Sequence, residues 1–372
     1  MTAHGAPERG GGGIPRRAVL RAGGGLALAA IGLSVGCGSR RDGREVVLYC
    51  SMDGQVLAPL LARFEASTGR RVLLVGDTEA TKTTGLVQRI IAERDRPRAD
   101  VFWSSEPLGP VRLARAGLLR ARISAAAEAR IAGGWPGGMR AADGSWYALA
   151  PRARVVVVNT REAPGATMTN LDGLTAERFR GRVGMARPQF GTTRAHMAAL
   201  LAAHGPERYG DWLGRLRDNG LRLYDGNGAV VRACARAEIH AGLTDNDDVA
   251  SGAANGWPVA QLTPHSHLQP WHYRMGEPME FPFGSMRIPG MVGVVRGGPN
   301  PQGAEALIDA ILSADVEREL ASGVWGSMPV DPAAAAGHPL ARVTSGVDPG
   351  TLADHEARAL EIFDRVMAGG GA

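Results

Sequence analysis

From Arg44 onward the chain alternates between short β-branched runs and longer stretches with helical spacing. "REVVLYCS" (44–51) predicts a strand, and in "MDGQVLAPLLARFEASTG" the residues Val56, Leu57, Leu60, Leu61 and Phe64 recur at helical intervals until Gly69. "RRVLLVGDTEA" predicts a second strand and "TTGLVQRIIAERDRPRAD" a second helix that ends before Pro97; "ADVFWSSE" and "PVRLARAGLLR" repeat the pair. Such alternation predicts a parallel sheet with helices on its faces. The loops after the strands, "CSMDG", "GDTEATKT" and "WSSEPLG", each carry an acidic group. Open α/β sheets bind their ligands at that end of the strands.

A second unit begins near "ARVVVVNT" (153–160), whose valine run predicts a fully buried or domain-crossing strand. "RVGMARPQFGTTRAHMAALLAAHG", "LRLYDGNGAVVRACARAE" and "IHAGLTDNDDVASGAANG" again place polar turns after strands. "GMVGVVRGG" (290–298) predicts a further strand, "PQGAEALIDAILSADVERELASG" a helix, and "GTLADHEARALEIFDRVMAG" an amphipathic C-terminal helix. The pattern therefore predicts an α/β chain of two lobes, each a mostly parallel sheet flanked by helices. The expected divisions are a signal peptide at 1–36, the first part of lobe one at 37–152, lobe two at 153–285, and at 286–372 a return strand and C-terminal helices belonging to lobe one.

The N-terminus has the layout of an export signal. Arg16 and Arg17 precede an apolar stretch from Leu26 to Val35, which is too short and too rich in glycine for a stable membrane span. The arginine pair resembles a Tat-type signal, and "LSVGC" resembles a lipobox that makes Cys37 the expected lipidation site. The mature chain is then expected outside the cytoplasm, periplasmic or extracytoplasmic, and held to the membrane only by lipid. The leader carries Arg9, Arg16, Arg17 and Arg21 against Glu8, which is +3 of the total +5, and leaves +2 on the remainder. That charge argues against nucleic acid as a partner. Cys50 and Cys234 lie in strand-like and helix-like contexts far apart and are expected as separate buried thiols.

Several local features carry candidate chemistry. Lys82 is the only lysine in the chain, so it is a candidate for a role that needs a compact point charge. "HAGLTDNDDVASG" (240–252) places Asp245, Asp247 and Asp248 within four positions, without the interleaved Lys or Arg of a solvated face. "PQFGTTR" (188–194) offers Gly191, Thr192 and Thr193 at a helix start, where free N–H groups and hydroxyls suit an oxyanion. Arg152 and Arg154 of "PRARV" and Lys82 could add positive charge there, with Asn227 of "DGNGAVV" a lesser candidate. His265, His267 and His272, near Trp271, lie in a stretch rich in His and Pro that reads either as an exposed loop or as a soft transition-metal site.

The order and spacing of "VVLYCSMDG", "FEASTGRRV", "ADVFWSSEPLG", "AGLL", "PRARVVVVNT", "PQFGTT" and "AEIHAGLTDNDD", from about Val46 to Pro329, resemble the periplasmic ferric-iron-binding type of ABC-transporter substrate-binding protein. The resemblance implies a type II fold of the periplasmic-binding-protein kind, in which two lobes close on a ligand and deliver it to a membrane permease and its ATPase. It implies a monomer without catalytic activity. It places Glu106 where relatives have a metal-ligating Glu, and Asp53 near the place of a ligating His. Asp247 and Asp248 fall at the spacing where relatives carry two adjacent tyrosines. It also implies a synergistic anion at the Gly191–Thr193 turn.

Asp53 and Glu106 facing Asp245, Asp247 and Asp248 would repel one another in a closed cleft unless a cation lay between them. Carboxylates are general hard-oxygen ligands, so the set leaves Fe, Ca, Mg and Mn undistinguished. Two other readings stay open. One is a binding protein for a phosphonate, phosphate ester or polyamine. The other is a metal-dependent hydrolase, although the chain has no HExxH motif and its one GxSxG match, Gly32–Gly36, lies in the leader.

Overall fold

The computed structural model describes residues 43–52, 54–77, 84–263, 285–322, 326–338, 340 and 345–369. The leader with Cys37, the loop positions Asp53 and Lys82, and His265, His267 and His272 lie outside the described residues. In chain order the first lobe begins with β1 (Glu45–Cys50), α1 (Gly54–Thr68), β2 (Arg71–Gly76), α2 (Thr84–Ala92), β3 (Val101–Ser104), α3 (Leu108–Arg115) and α4 (Ala125–Arg130). The long strand β4 (Tyr147–Asn159) leads into β5 (Val183–Ala186), α5 (Gly191–Asp218), β6 (Arg222–Tyr224), α6 (Asn227–Ala235), β7 (Ala241–Asp245), α7 (Asn246–Ala254) and β8 (Val259–Leu262). The chain returns through β9 (Met286–Val294), α8 (Pro301–Ile311), α9 (Ala314–Ser322), α10 (Pro332–Ala335), β10 (Ser345–Gly346) and α11 (Pro349–Met367). Among the described residues no helix is long and apolar enough to cross a membrane.

β4 joins the two sheets. Its first half, Tyr147–Ala153, pairs antiparallel with β9, and its second half, Arg154–Val158, pairs antiparallel with β7. Lobe one therefore runs β2-β1-β3-β9-β4, with β1 parallel to β2 and β3. Lobe two runs β8-β4-β7-β5-β6, with β5 parallel to β6 and β7. The register breaks between Leu149 and Arg152, where Ala150 adopts φ 45° just before Pro151. A non-glycine residue in that region is strained, and here it turns the crossing strand at the point where Arg152 enters the cleft.

Alternation along the strands fills a core on each face of each sheet. Val46 and Leu48 pack with Leu57, Leu307 and Ile308 on one side of lobe one, whereas Val47 and Tyr49 pack with Leu86, Val87 and Ile90 on the other. In β4, Val156 and Val158 face Leu213 and Leu216 of α5, while Val155 and Val157 face Val230 and Val231 of α6. Each such fully buried valine or leucine stabilises the fold by about 1.5–3 kcal/mol. Cys50 and Cys234 are free, buried thiols, and burial pushes both pKa values up to about 12.

Two expectations about the C-terminal region are corrected. The single helix expected over 301–323 divides at Leu312 and Ser313 into α8 and α9. The last helix, α11, does not return to lobe one alone: Ala359, Ile362 and Phe363 bury themselves in the core of lobe two against α5. Leu352 at its other end packs with Leu108 of α3 and Ala195 of α5. Its apolar stripe is long enough to serve both lobes.

Candidate ligand-binding site

The acidic stretch lies at the end of β7, where the chain turns into α7. Asp245 is the residue before the helix, and Asp247 and Asp248 occupy its first turn, a position that the helix dipole favours for carboxylates. The side chain of Asn246 fixes the turn. Its Oδ1 accepts from the Ala153 N–H at 2.7 Å, and its Nδ2 donates to the Gly326 carbonyl at 3.2 Å.

Asp245 has a guanidinium directly opposite it. Arg154 of β4 donates from Nη1 to Asp245 Oδ1 at 2.8 Å, and both side chains are buried. The other oxygen, Oδ2, accepts from the Thr192 hydroxyl at 2.8 Å and from Asn227 Nδ2 at 3.1 Å. Burial alone would raise the Asp245 pKa, but Arg154 and Arg152 more than offset it and hold the carboxyl below its ordinary range. Both Asp245 oxygens are thus engaged within the protein. Arg154, expected at an anion subsite, lies behind the cleft rather than in its lining, because Asp245 holds it there.

Asp247 is held differently. Its Oδ2 accepts from Arg152 Nη1 at 2.9 Å, while Oδ1 has no hydrogen-bond partner although the side chain is only 9% exposed. A bare carboxylate oxygen away from water is costly unless something meets it. Arg152 also lies 3.4 Å from Asp245 Oδ2 and donates from Nη2 to the Ser105 carbonyl of lobe one at 2.7 Å. Burial disfavours the Arg152 cation, but Asp247, Asp245 and Asp248 raise its pKa well above the ordinary arginine value. One oxygen from each of Asp245, Asp247 and Asp248 falls within 4.8 Å of the others, a spacing able to hold a metal ion.

These residues form the floor of a cleft of about 100 Å³. Lobe one contributes Ser51, Met52, Val56 and Ser105; lobe two contributes Ala186, Phe190, Gly191, Thr192, Thr193, Gly226, Asn227 and the three aspartates. Two helix starts meet there. Neither Phe190 before α5 nor Gly226 before α6 has a side-chain cap hydrogen bond, and both residues line the cleft. Arg187 and Asp225 pair with each other at the rim, 3.3 Å apart.

Glu106 is placed elsewhere. Its two oxygens accept from the N–H groups of Leu108 at 2.7 Å and Gly109 at 2.9 Å at the start of α3. Burial pushes its pKa up to about 7 in spite of those hydrogen bonds. It lines a smaller cavity with Arg112, Gly191, Arg194 and Glu356, so the position expected for a ligand in the main cleft serves the start of a helix instead. Glu356 of α11 stands between Arg112 of α3, at 2.6 Å, and Arg194 of α5, at 2.9 Å. Sequence reasoning missed this bridge and the apolar side of the cleft, Met52, Val56 and Phe190. The loops flagged after β1 and β5 contained the only signal for the latter.

Two α/β lobes joined by a crossing strand, with a polar cleft at the strand ends, define a solute-binding protein. The chain belongs to the bacterial extracellular solute-binding protein family, whose model matches residues 46–322. It is 28% identical over 275 residues to iron uptake protein A2 of Synechocystis, covering 68% of this chain and 72% of that one. It is 26% identical over 203 residues to the major ferric iron-binding protein of Neisseria meningitidis, covering 54% of this chain and 59% of that one. In fold it is similar to iron-bound HitA from Pseudomonas aeruginosa, with a TM-score of 0.71 at 20% identity over 87% of this chain and 99% of that one. It is also similar to the Trichodesmium protein solved with iron and citrate, with a TM-score of 0.68 at 20% identity over 87% and 99%.

Proposed function

We propose that this chain is the extracytoplasmic binding component of an ABC importer that captures a hard metal cation, iron or an ion of similar chemistry, between its lobes. The observation that carries this reading is the buried Asp247 carboxylate, half neutralised by Arg152 and with Oδ1 bare beside Asp248. Asp247 and Asp248 are the ligands from lobe two, and Asp245 organises them through Arg154, Thr192 and Asn227. Asp53 is the proposed ligand from lobe one. A small oxyanion, assisted by Lys82, occupies the starts of α5 and α6 at Gly191, Thr192, Thr193 and Asn227 and completes the ion's coordination. The names of the iron-binding relatives support the same cargo.

In this reading the protein works as a monomer, tethered at the membrane through a lipid on Cys37, and passes its cargo to a permease and its ATPase. It binds without transforming. Native mass spectrometry and elemental analysis of the exported chain, purified without chelators, test the reading. One metal ion per chain, released by acid or chelator without loss of fold, is expected. A metal-free protein that takes up no cation on titration would contradict it.

A further inference from the structure

Arg152 decides how Asp247 can meet a cation. Its guanidinium reaches both lobes: Nη1 donates to Asp247 Oδ2 at 2.9 Å in lobe two, and Nη2 donates to the Ser105 carbonyl at 2.7 Å in lobe one. Nη1 also lies 3.4 Å from Asp245 Oδ2. The side chain leaves β4 just after the break between Leu149 and Arg152. A hydrogen bond between ionised partners is among the stronger ones. A planar fork held at both arms does not turn away from one partner without leaving the other. Asp247 Oδ2 is therefore a committed acceptor.

The neighbouring carboxylates have protein partners as well. Both oxygens of Asp245 are taken, by Arg154, Thr192 and Asn227. Asp248 stands beside Arg232 of α6: its Oδ1 and Arg232 Nη1 each lie 3.5 Å from the point where a Cβ on Gly228 would sit. Asp247 Oδ1 differs. It is a buried oxygen without a hydrogen-bond partner, on a side chain that lines the cleft. Such an oxygen calls for a cation, and here it is offered singly, without its twin. Ca(II) takes about six to eight oxygens and accepts a carboxylate through both of them. Smaller octahedral ions such as Mg(II) and Mn(II) are served by single oxygens.

We propose that Arg152 is a positioning residue for the cargo: by holding Asp247 Oδ2 it limits Asp247 to coordination through Oδ1 alone, and so favours a small six-coordinate cation over Ca(II). The inference rests on the reading of the cleft as a metal site with Asp247 as a ligand. Partners that orient a ligating side chain contribute strongly to metal affinity without touching the ion. Arg152 has that place here, and its bond to the Ser105 carbonyl ties the ligand's orientation to lobe one.

The test is a competition between Mn(II) and Ca(II) on the full chain stripped of metal, with the bound ratio read by elemental analysis. The two ions carry the same charge, so the charge lost in Arg152→Met acts on both alike. Freeing Asp247 Oδ2 is expected to raise the Ca(II)-to-Mn(II) ratio by about tenfold or more. With Asp247→Asn present, which leaves a single side-chain oxygen, the same Arg152→Met change is expected to leave the ratio unmoved. Circular dichroism confirms that each variant is folded. A ratio unchanged by Arg152→Met, or a shift of equal size with Asp247→Asn present, overturns the proposal while leaving the metal reading intact. A crystal structure of the Mn(II)-loaded wild type tests the same point without any variant. Mn(II) on Asp247 Oδ1 with Arg152 still on Oδ2 is expected; Mn(II) held by both oxygens, or Arg152 displaced from Asp247, overturns the proposal. Wild type that binds neither ion overturns the metal reading itself, and this proposal with it.

Discussion

Arg154 on β4 and Asp245 on β7 stand opposite each other in register and close an ion pair at 2.8 Å with side chains 0% and 1% exposed. A buried pair of this kind is weak evidence of net stability, but removing one partner strands the other charge in the core. Asp245→Asn is therefore expected to lower the unfolding free energy by about 3–5 kcal/mol, and Arg154→Met by a similar amount. Replacing both with apolar residues should recover most of the loss. Urea unfolding of the two single variants and the double variant measures this; additive losses would show that the two side chains do not act as a pair.

Glu106 makes stability depend on pH. The unfolded chain releases this proton near 4.5, whereas burial delays release in the folded protein to about 7. Between those values the folded state holds the extra proton, so this group's contribution falls as pH rises through the window. Glu106→Gln cannot ionise and keeps one acceptor oxygen, so it retains one of the two hydrogen bonds from Leu108 and Gly109 and loses the other equally at every pH. Between pH 4 and pH 8 the stability difference is expected to move in favour of the variant by about 1–2 kcal/mol. A difference that stays constant across that range contradicts this account of Glu106.

Glu356 ties α3 of lobe one to α5 of lobe two through Arg112 and Arg194. Its side chain is 12% exposed, so the two ion pairs are largely shielded from solvent. Glu356→Gln is expected to cost about 1–2 kcal/mol of stability and to increase the radius of gyration of the ligand-free protein, since two arginines then face each other across the lobes without an acid between them. Small-angle scattering that shows no difference from wild type would show that the bridge does not restrain the lobes.

The crossing strand was legible in the sequence because all of Val155, Val156, Val157 and Val158 are buried, and a run without alternation is how such a strand looks. The first-lobe strands and helices were legible for the opposite reason, a clear alternation between sheet and helix periods. The partner of Asp245 was not. Arg154 lies 91 positions away, and only the register of β4 against β7 brings the two together. Glu106 misled for a related reason: a carboxylate after a strand looks the same whether it faces a ligand or the start of the next helix. The position of α11 was hidden because its amphipathic stripe does not say which lobe it covers. The acidic stretch itself was visible at once, but its division into a structural Asp245 and an unpartnered, buried carboxylate oxygen at Asp247 needed the side-chain geometry.

The central claim is that Asp247 meets the cargo directly. Titration calorimetry of the metal-stripped chain with Mn(II) and, without oxygen, with Fe(II) tests it most directly. Wild type is expected to bind one ion per chain. Asp247→Asn, which removes the charge but keeps the shape and the contact with Arg152, is expected to weaken binding by at least about a hundredfold while unfolding cooperatively as wild type does. Unchanged affinity in a folded Asp247→Asn protein would contradict the account.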